Sequence, residues 1–194
     1  MKKTLLALSL LAGMPFAASA ADGISYNYVE GGYATTRLDN GPDADGWGLN
    51  GSVAIAPNFH IFGGYTAQDY DQSDYSYDQW RIGFGYNREI SRNIDLVGRA
   101  AFERLSEDDY RVAGIRYRGA DFDGYSAEVG IRGSILPQLE GYAFAGWEDG
   151  SDYDGDFYGR LGAQYKFTSN WGINADVKFA DNDAQWFVGP RFTW

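Results

Sequence analysis

The 194-residue chain carries 27 acidic residues against 16 basic ones, a formal net charge of −11, and has no cysteine. So acidic a chain is a poor partner for nucleic acid, and no disulfide framework can hold it together. Aromatic residues at 17%, 26 glycines and only five prolines favour β-structure rich in turns, while a mean hydropathy of −0.41 and the lack of any long apolar stretch after the first twenty residues leave no transmembrane helix.

In chain order, Lys2 and Lys3 precede the apolar run "TLLALSLLAGMPFAASA", which closes on Ala18, Ser19 and Ala20. A charged start, an apolar centre and a small-residue A-x-A site predict a signal peptide over 1–20, cleaved after Ala20. The run is short and interrupted by Pro15, which disfavours a retained anchor. Residues 21–194 then form one domain.

Alternation with period two begins near Tyr28 to Tyr33 and recurs along the chain. Over 47–55, Trp47, Leu49, Val53 and Ile55 alternate with Gly48, Asn50, Ser52 and Ala54. Over 80–86, Trp80, Ile82, Phe84 and Tyr86 alternate with Arg81, Gly83 and Gly85. Strands over 94–105 and 139–148 flank the run 125–132, where Tyr125, Ala127, Val129 and Ile131 oppose Ser126, Glu128, Gly130 and Arg132. Phe157, Leu161, Tyr165 and Phe167 share one face, and Trp171, Ile173, Val177 and Phe179 the next. Each run is a strand with one apolar and one polar face.

Tight turns are predicted at "APNF" (56–59), "SRNI" (91–94), "LPQL" (136–139) and "TSNW" (168–171). Longer loops are predicted at 39–46, 69–78, 106–121, 149–156 and 181–184. These connections join ten strands, with eight as the alternative count, in a closed antiparallel barrel. Short turns on one side and longer loops on the other are the sidedness of an outer-membrane barrel.

The tryptophans select a membrane barrel over a soluble one. Trp47, Trp80, Trp147, Trp171, Trp186 and Trp194 all fall on the apolar face near strand ends, where a membrane interface favours an indole. Trp47, Trp80, Trp147 and Trp186 would form the outer girdle, and Trp171 and Trp194 the periplasmic one. The polar face holds seven basic residues (Arg81, Arg99, Arg132, Arg160, Lys166, Lys178, Arg191) and seven acidic ones (Glu30, Asp95, Glu103, Glu128, Glu140, Glu148, Asp176). Facing lipid, each Arg or Lys would cost about 2–4 kcal/mol, whereas a neutral lumen can hold them. The pairs expected there are Arg99 with Glu103 and Glu128 with Arg132. Phe62, Val97, Tyr142, Phe144 and Phe187 fall on the lumen side against the pattern, and Arg104 on the lipid side. Pro190 removes a ladder donor from the last strand, which predicts a bulge or a lost hydrogen bond.

The ending "FVGPRFTW" resembles the C-terminal assembly signal of outer-membrane barrels through Gly189, Phe192 and Trp194, with Phe187 where a polar residue usually stands. The stretches "SYNYVEGGY" (25–33), "ADGWG" (44–48), "APNFHIFGGYT" (56–66), "DQWRIGFGYN" (78–87) and "GDFYGRLGAQYKF" (155–167) resemble a family of small outer-membrane barrel proteins regulated by diffusible signal factor and once described as activators of a plant immune receptor. The resemblance implies links to quorum sensing, virulence and vesicles. It also implies outer-membrane lipid, lipopolysaccharide and the barrel-assembly machinery as partners.

No catalytic or cofactor-binding residue is expected. Barrel enzymes place a histidine at the outer rim beside Asp or Ser, but the one histidine, His60, follows the tight turn at Pro57 and Asn58 and lies at the periplasmic end. A lone histidine without cysteine makes a poor metal centre. Eighteen acidic residues lie in or beside the longer loops, opposed only by Arg111, Arg116 and Arg118. The loop "DGSDYDGD" is superficially calcium-like and lacks the EF-hand spacing, so Asp152, Asp154 and Asp156 are candidates only for weak Ca²⁺ or Mg²⁺ binding. The expected function is a non-enzymatic barrel with acidic surface loops in a structural or interaction role. A narrow pore for ions or small solutes is the second reading, kept open by small lumen residues such as Gly83, Gly85, Gly130 and Gly162.

Overall fold

The computed structural model describes residues 20–39, 41–71, 76–107, 119–151 and 155–194, with the backbone of 110–112 and 115–117. The predicted signal peptide, but for Ala20, lies outside the described residues, as do Asp152 and Asp154.

Among the described residues twelve strands follow one another: β1 (Tyr28–Arg37), β2 (Ala44–Ala56), β3 (Phe59–Tyr70), β4 (Ser76–Ser91), β5 (Ile94–Glu107), β6 (Tyr110–Val112), β7 (Ile115–Tyr117), β8 (Asp121–Leu136), β9 (Leu139–Gly150), β10 (Asp156–Lys166), β11 (Trp171–Ala180) and β12 (Asp183–Thr193). Ten of them close into an antiparallel barrel, β12 returning to β1, while β6 and β7 form a separate hairpin inside the predicted loop 106–121. Closure removes the free sheet edges that hydrocarbon cannot solvate.

The barrel is apolar outside and polar inside. Ile82, Tyr125, Val129, Phe157 and Leu161 are each more than half exposed, whereas Glu30, His60, Asp95, Glu140, Gln164 and Arg191 are buried. A soluble barrel would show the reverse. This arrangement follows from the two-residue period, which sends every other side chain into the lumen.

The four tight turns fall where expected, and three carry a register shift on an adjoining strand, at Ala54/Ala56, Glu89/Ser91 and Ser134/Leu136. The predicted loop 181–184 is instead a two-residue turn: Ala180 pairs with Asp183, and Asp181 and Asn182 both have positive φ, 43° and 69°. Two successive left-handed residues are what a type I′ hairpin demands, and Asp and Asn tolerate that region better than most. Several acidic residues placed in or beside the loops, among them Asp78, Glu107, Asp121, Asp123 and Asp149, stand on strands. The 16 residues of β4 and of β8 exceed the roughly 9–11 that cross a bilayer, so these strands carry the acidic wall beyond the lipid.

At the closing seam, β1 and β12 pair from Tyr28↔Thr193 to Glu30↔Arg191 and again from Tyr33↔Val188 to Arg37↔Ala184. Between these stretches Gly31 and Gly32 face Gly189 and Pro190 without regular pairing, as the missing N–H of proline requires. A Cβ at Gly32 or at Gly189 would run into the opposing backbone, so glycine permits the close approach.

Candidate functional site

The lumen is where the sequence places its buried chemistry, and cross-strand register decides which groups meet. Arg99 forms an ion pair with Glu128, its register partner on β8, and not with Glu103. Arg132 pairs with Glu140 at 2.5 Å rather than with Glu128, and Lys166 reaches Glu140 from the other side at 3.4 Å. The expected same-strand pairs fail for a geometric reason. Residues four apart on a strand are separated by about 13 Å, while cross-strand neighbours lie near 5 Å.

The other pairs also run between strands: Arg191 with Glu30 at 2.6 Å, Lys178 with Glu148, and Arg160 with Asp176 at 3.9 Å. Glu103 instead accepts hydrogen bonds from Ser126 Oγ at 2.5 Å and Gln79 Nε2 at 3.1 Å. Arg104, which broke the pattern, pairs with Asp121 and Asp123 at 3.7 and 3.2 Å near the outer end.

The lumen aromatics and the lumen glycines are two halves of one packing device. His60 lies opposite Gly85, Phe62 opposite Gly83, Phe144 opposite Gly130, Tyr142 opposite Gly162 and Tyr158 opposite Gly146. At each of these glycines a Cβ would collide with the facing ring. The glycines therefore make room for rings lying across the neighbouring strand. Arg99 stacks between two of these rings, 4.2 Å from the Phe144 centroid and 5.4 Å from that of Phe62. Above this layer a small polar vestibule of about 80 Å³ is lined by groups including Arg81, Glu103, Arg160, Asp176 and Lys178. Toward the outer end, Tyr77 donates to Gln68 Oε1 at 2.7 Å, and Thr36 Oγ1 lies 3.0 Å from the same oxygen and 3.1 Å from the Tyr77 hydroxyl.

The periplasmic mouth is crossed by the segment that precedes β1, which the periodicity did not reveal. Ala21, Ile24 and Tyr26 are buried against Ala54, Val97 and Phe144. Tyr26 stacks on His60 with centroids 4.5 Å apart, and the Arg132 guanidinium sits 4.8 Å from the Tyr26 ring centroid. The Tyr26 hydroxyl donates to Asp95 Oδ2 at 2.9 Å, and the Ala21 nitrogen donates to Asp95 Oδ1 at 3.0 Å. Asp22 N–H donates to the Arg92 carbonyl at 2.7 Å, and Lys166 reaches the Gly23 carbonyl. His60 is thus a buried lumen group far from the outer rim.

On the outside, each barrel strand contributes one aromatic near its outer end: Tyr33, Trp47, Tyr65, Trp80, Phe102, Tyr125, Trp147, Phe157, Phe179 and Trp186. Tyr33 pairs with Trp47, Tyr65 with Trp80, Phe102 with Tyr125, and Trp147 with Phe157. The remaining steps are diagonal, as in Trp47 with Tyr65 at 5.4 Å and Trp80 with Phe102 at 5.6 Å. At the inner end, Trp171 meets Phe192 at 5.0 Å and Phe192 stacks on Trp194 at 6.1 Å. Counting tryptophans alone overlooked this ring, though the other aromatics lay in the same phase of the alternation.

No family profile matches the chain, and no curated protein does. Among solved structures, the β domain of the Bordetella autotransporter BrkA is similar with a TM-score of 0.51 and 14% identity, over 87% of this chain and 99% of that one. The KdgM porin is similar with a TM-score of 0.48 and 15% identity, over 86% and 99%. Neisserial surface protein A is similar with a TM-score of 0.48 and 10% identity, over 88% and 98%. Identities this low speak to fold alone. The fold is that of the small outer-membrane β-barrels, and a closed barrel with an apolar outside and a charged inside has its place in the cell outer membrane.

Proposed function

We propose that this protein is a non-enzymatic barrel with a closed lumen, whose acidic outer end is its working surface in a structural or interaction role. The observation that carries this reading is the layer of rings laid over glycines, with Arg99 stacked between Phe62 and Phe144. Purified protein in planar bilayers is expected to give no steady single-channel steps, whereas a Phe62→Ala, Phe144→Ala double variant is expected to give them. Steady steps from the unmodified protein would promote the narrow pore, which the charged vestibule around Arg81, Arg160 and Lys178 favours. With His60 buried beside Tyr26, no turnover of lipid or peptide is expected.

We further assign the chain to the diffusible-signal-factor-regulated barrel family, on the stretches from "SYNYVEGGY" to "FVGPRFTW". Roles in quorum sensing, virulence or vesicles come with that assignment. Lipid and lipopolysaccharide are the proposed partners of the aromatic rings, and the assembly machinery that of Gly189, Phe192 and Trp194. The acidic loops are proposed to bind Ca²⁺ or Mg²⁺ weakly through Asp152, Asp154 and Asp156. Calorimetric titration with no calcium heat, and no calcium-dependent shift in unfolding, would remove that last element.

A further inference from the structure

Asp95 is the most deeply buried carboxylate of the lumen, fully shielded at 0% exposure. Five of the seven lumen acids, Glu30, Glu128, Glu140, Glu148 and Asp176, form ion pairs with Arg or Lys. Of the other two, Glu103 borders the polar vestibule, where water can solvate it. Asp95 has no such outlet, and among the described residues no Arg or Lys pairs with it. Its register partner Arg132 turns to Glu140 instead. Its bonds come from two neutral donors, the Tyr26 hydroxyl and the Ala21 nitrogen. A buried carboxylate with neutral donors only is costly, and a matched cation relieves the cost.

The Ala21 nitrogen is the atom that processing would change. Hydrolysis of the Ala20–Ala21 peptide bond by a signal peptidase consumes one water, leaves a carboxylate on Ala20 and frees an amine on Ala21, which takes up a proton. An α-amino group is largely protonated near neutral pH, with an ordinary pKa of about 7.7–8.0. We propose that this new ammonium group forms a buried ion pair with Asp95, and that the pair fastens residues 21–26 across the periplasmic mouth as a plug. The inference rests on cleavage after Ala20 and is independent of whether the ring layer above conducts. The site is already shaped for it: Ala21 is 2% exposed with its nitrogen on Asp95, Ile24 N–H donates back to the Ala21 carbonyl at 3.0 Å, and Tyr26 holds the second carboxylate oxygen. A retained leader would keep this nitrogen a neutral amide, so the lock forms only on the processed chain.

Three measurements test the proposal. The mass of protein extracted from outer membranes is expected to correspond to a chain beginning at Ala21; any other start would overturn the pair through its processing site. Chains beginning at Ala21 and at Ala20 are then refolded in the same detergent, each with Asp95 and with Asp95→Asn, and the temperature at which the compact gel band converts to unfolded mobility is read. The one-residue extension is expected to lower that temperature by several degrees with Asp95 present and to change it little in Asp95→Asn. An equal effect in both backgrounds, or none in either, would overturn the ion pair. Should Asp95→Asn fail to fold, acylation of the α-amino group in the unmodified chain decides: the pair predicts labelling many-fold slower in the folded than in the unfolded protein, and equal rates would refute it.

Discussion

Most lumen charges are held by one or two specific partners on other strands. Glu140 is 1% exposed, accepts a hydrogen bond from Arg132 and forms an ion pair with Lys166, so its removal leaves two cations without their carboxylate. Breaking a buried pair from one side costs about 3–5 kcal/mol, and Glu140→Ala is expected to lower the temperature of the gel-mobility transition markedly. Asp121→Ala, which removes an exposed partner of Arg104 at 3.7 Å, is expected to leave it unchanged, since exposed pairs contribute little. Equal shifts in the two variants would show that the lumen network does not hold the barrel together. The sequence revealed which charges face inward, because orientation depends only on the parity of position. It did not reveal who pairs with whom, because that depends on the stagger between strands, and hence Arg99 meets Glu128 and not Glu103.

At the level of strands, the alternation and the tight turns were legible because both are local. The two-residue turn at Asp181 and Asn182 was signalled by residue types that tolerate positive φ, yet its acidic composition made it look like another long loop. The segment Ala21–Tyr26 gave no periodic signal, because a chain crossing a lumen follows its cavity and has no strand period. The seam between β1 and β12 shows how one element depends on its partner. Gly32 and Gly189 abut the opposing backbone, whereas a Cβ at Gly98 or Gly159 would meet nothing within 4 Å. Gly32→Val is therefore expected to abolish the compact, heat-modifiable gel band, and Gly159→Val to preserve it. A compact band from both variants would mean that the seam closes by another register.

For the molecule as a whole, insertion into the membrane and closure of the barrel are one event, since an open edge leaves N–H and C=O groups in hydrocarbon at several kcal/mol each. The last three residues contribute to both sides of that closure. Phe192 pairs with Val29 on β1 and with Trp171 on β11, and Thr193 pairs with Tyr28. Thr193 N–H donates to the Asn170 carbonyl at 2.7 Å, and Asn170 Nδ2 donates to the Thr193 carbonyl at 2.8 Å. Trp194 N–H reaches the Asn27 carbonyl at 3.2 Å, and its own carbonyl accepts from Ser25 Oγ at 3.2 Å, which ties the end of the chain to the segment entering β1. Deleting Phe192–Trp194 thus removes the inner end of the seam and strips Tyr28 and Val29 of their partners on β12. Deleting three residues from the loop 149–156 leaves every pair of the closing seam in place. The first deletion is expected to deplete the heat-modifiable protein from the outer-membrane fraction and the second to leave it at its normal level. Equal insertion of the two variants would show that closure does not depend on the terminal strand end.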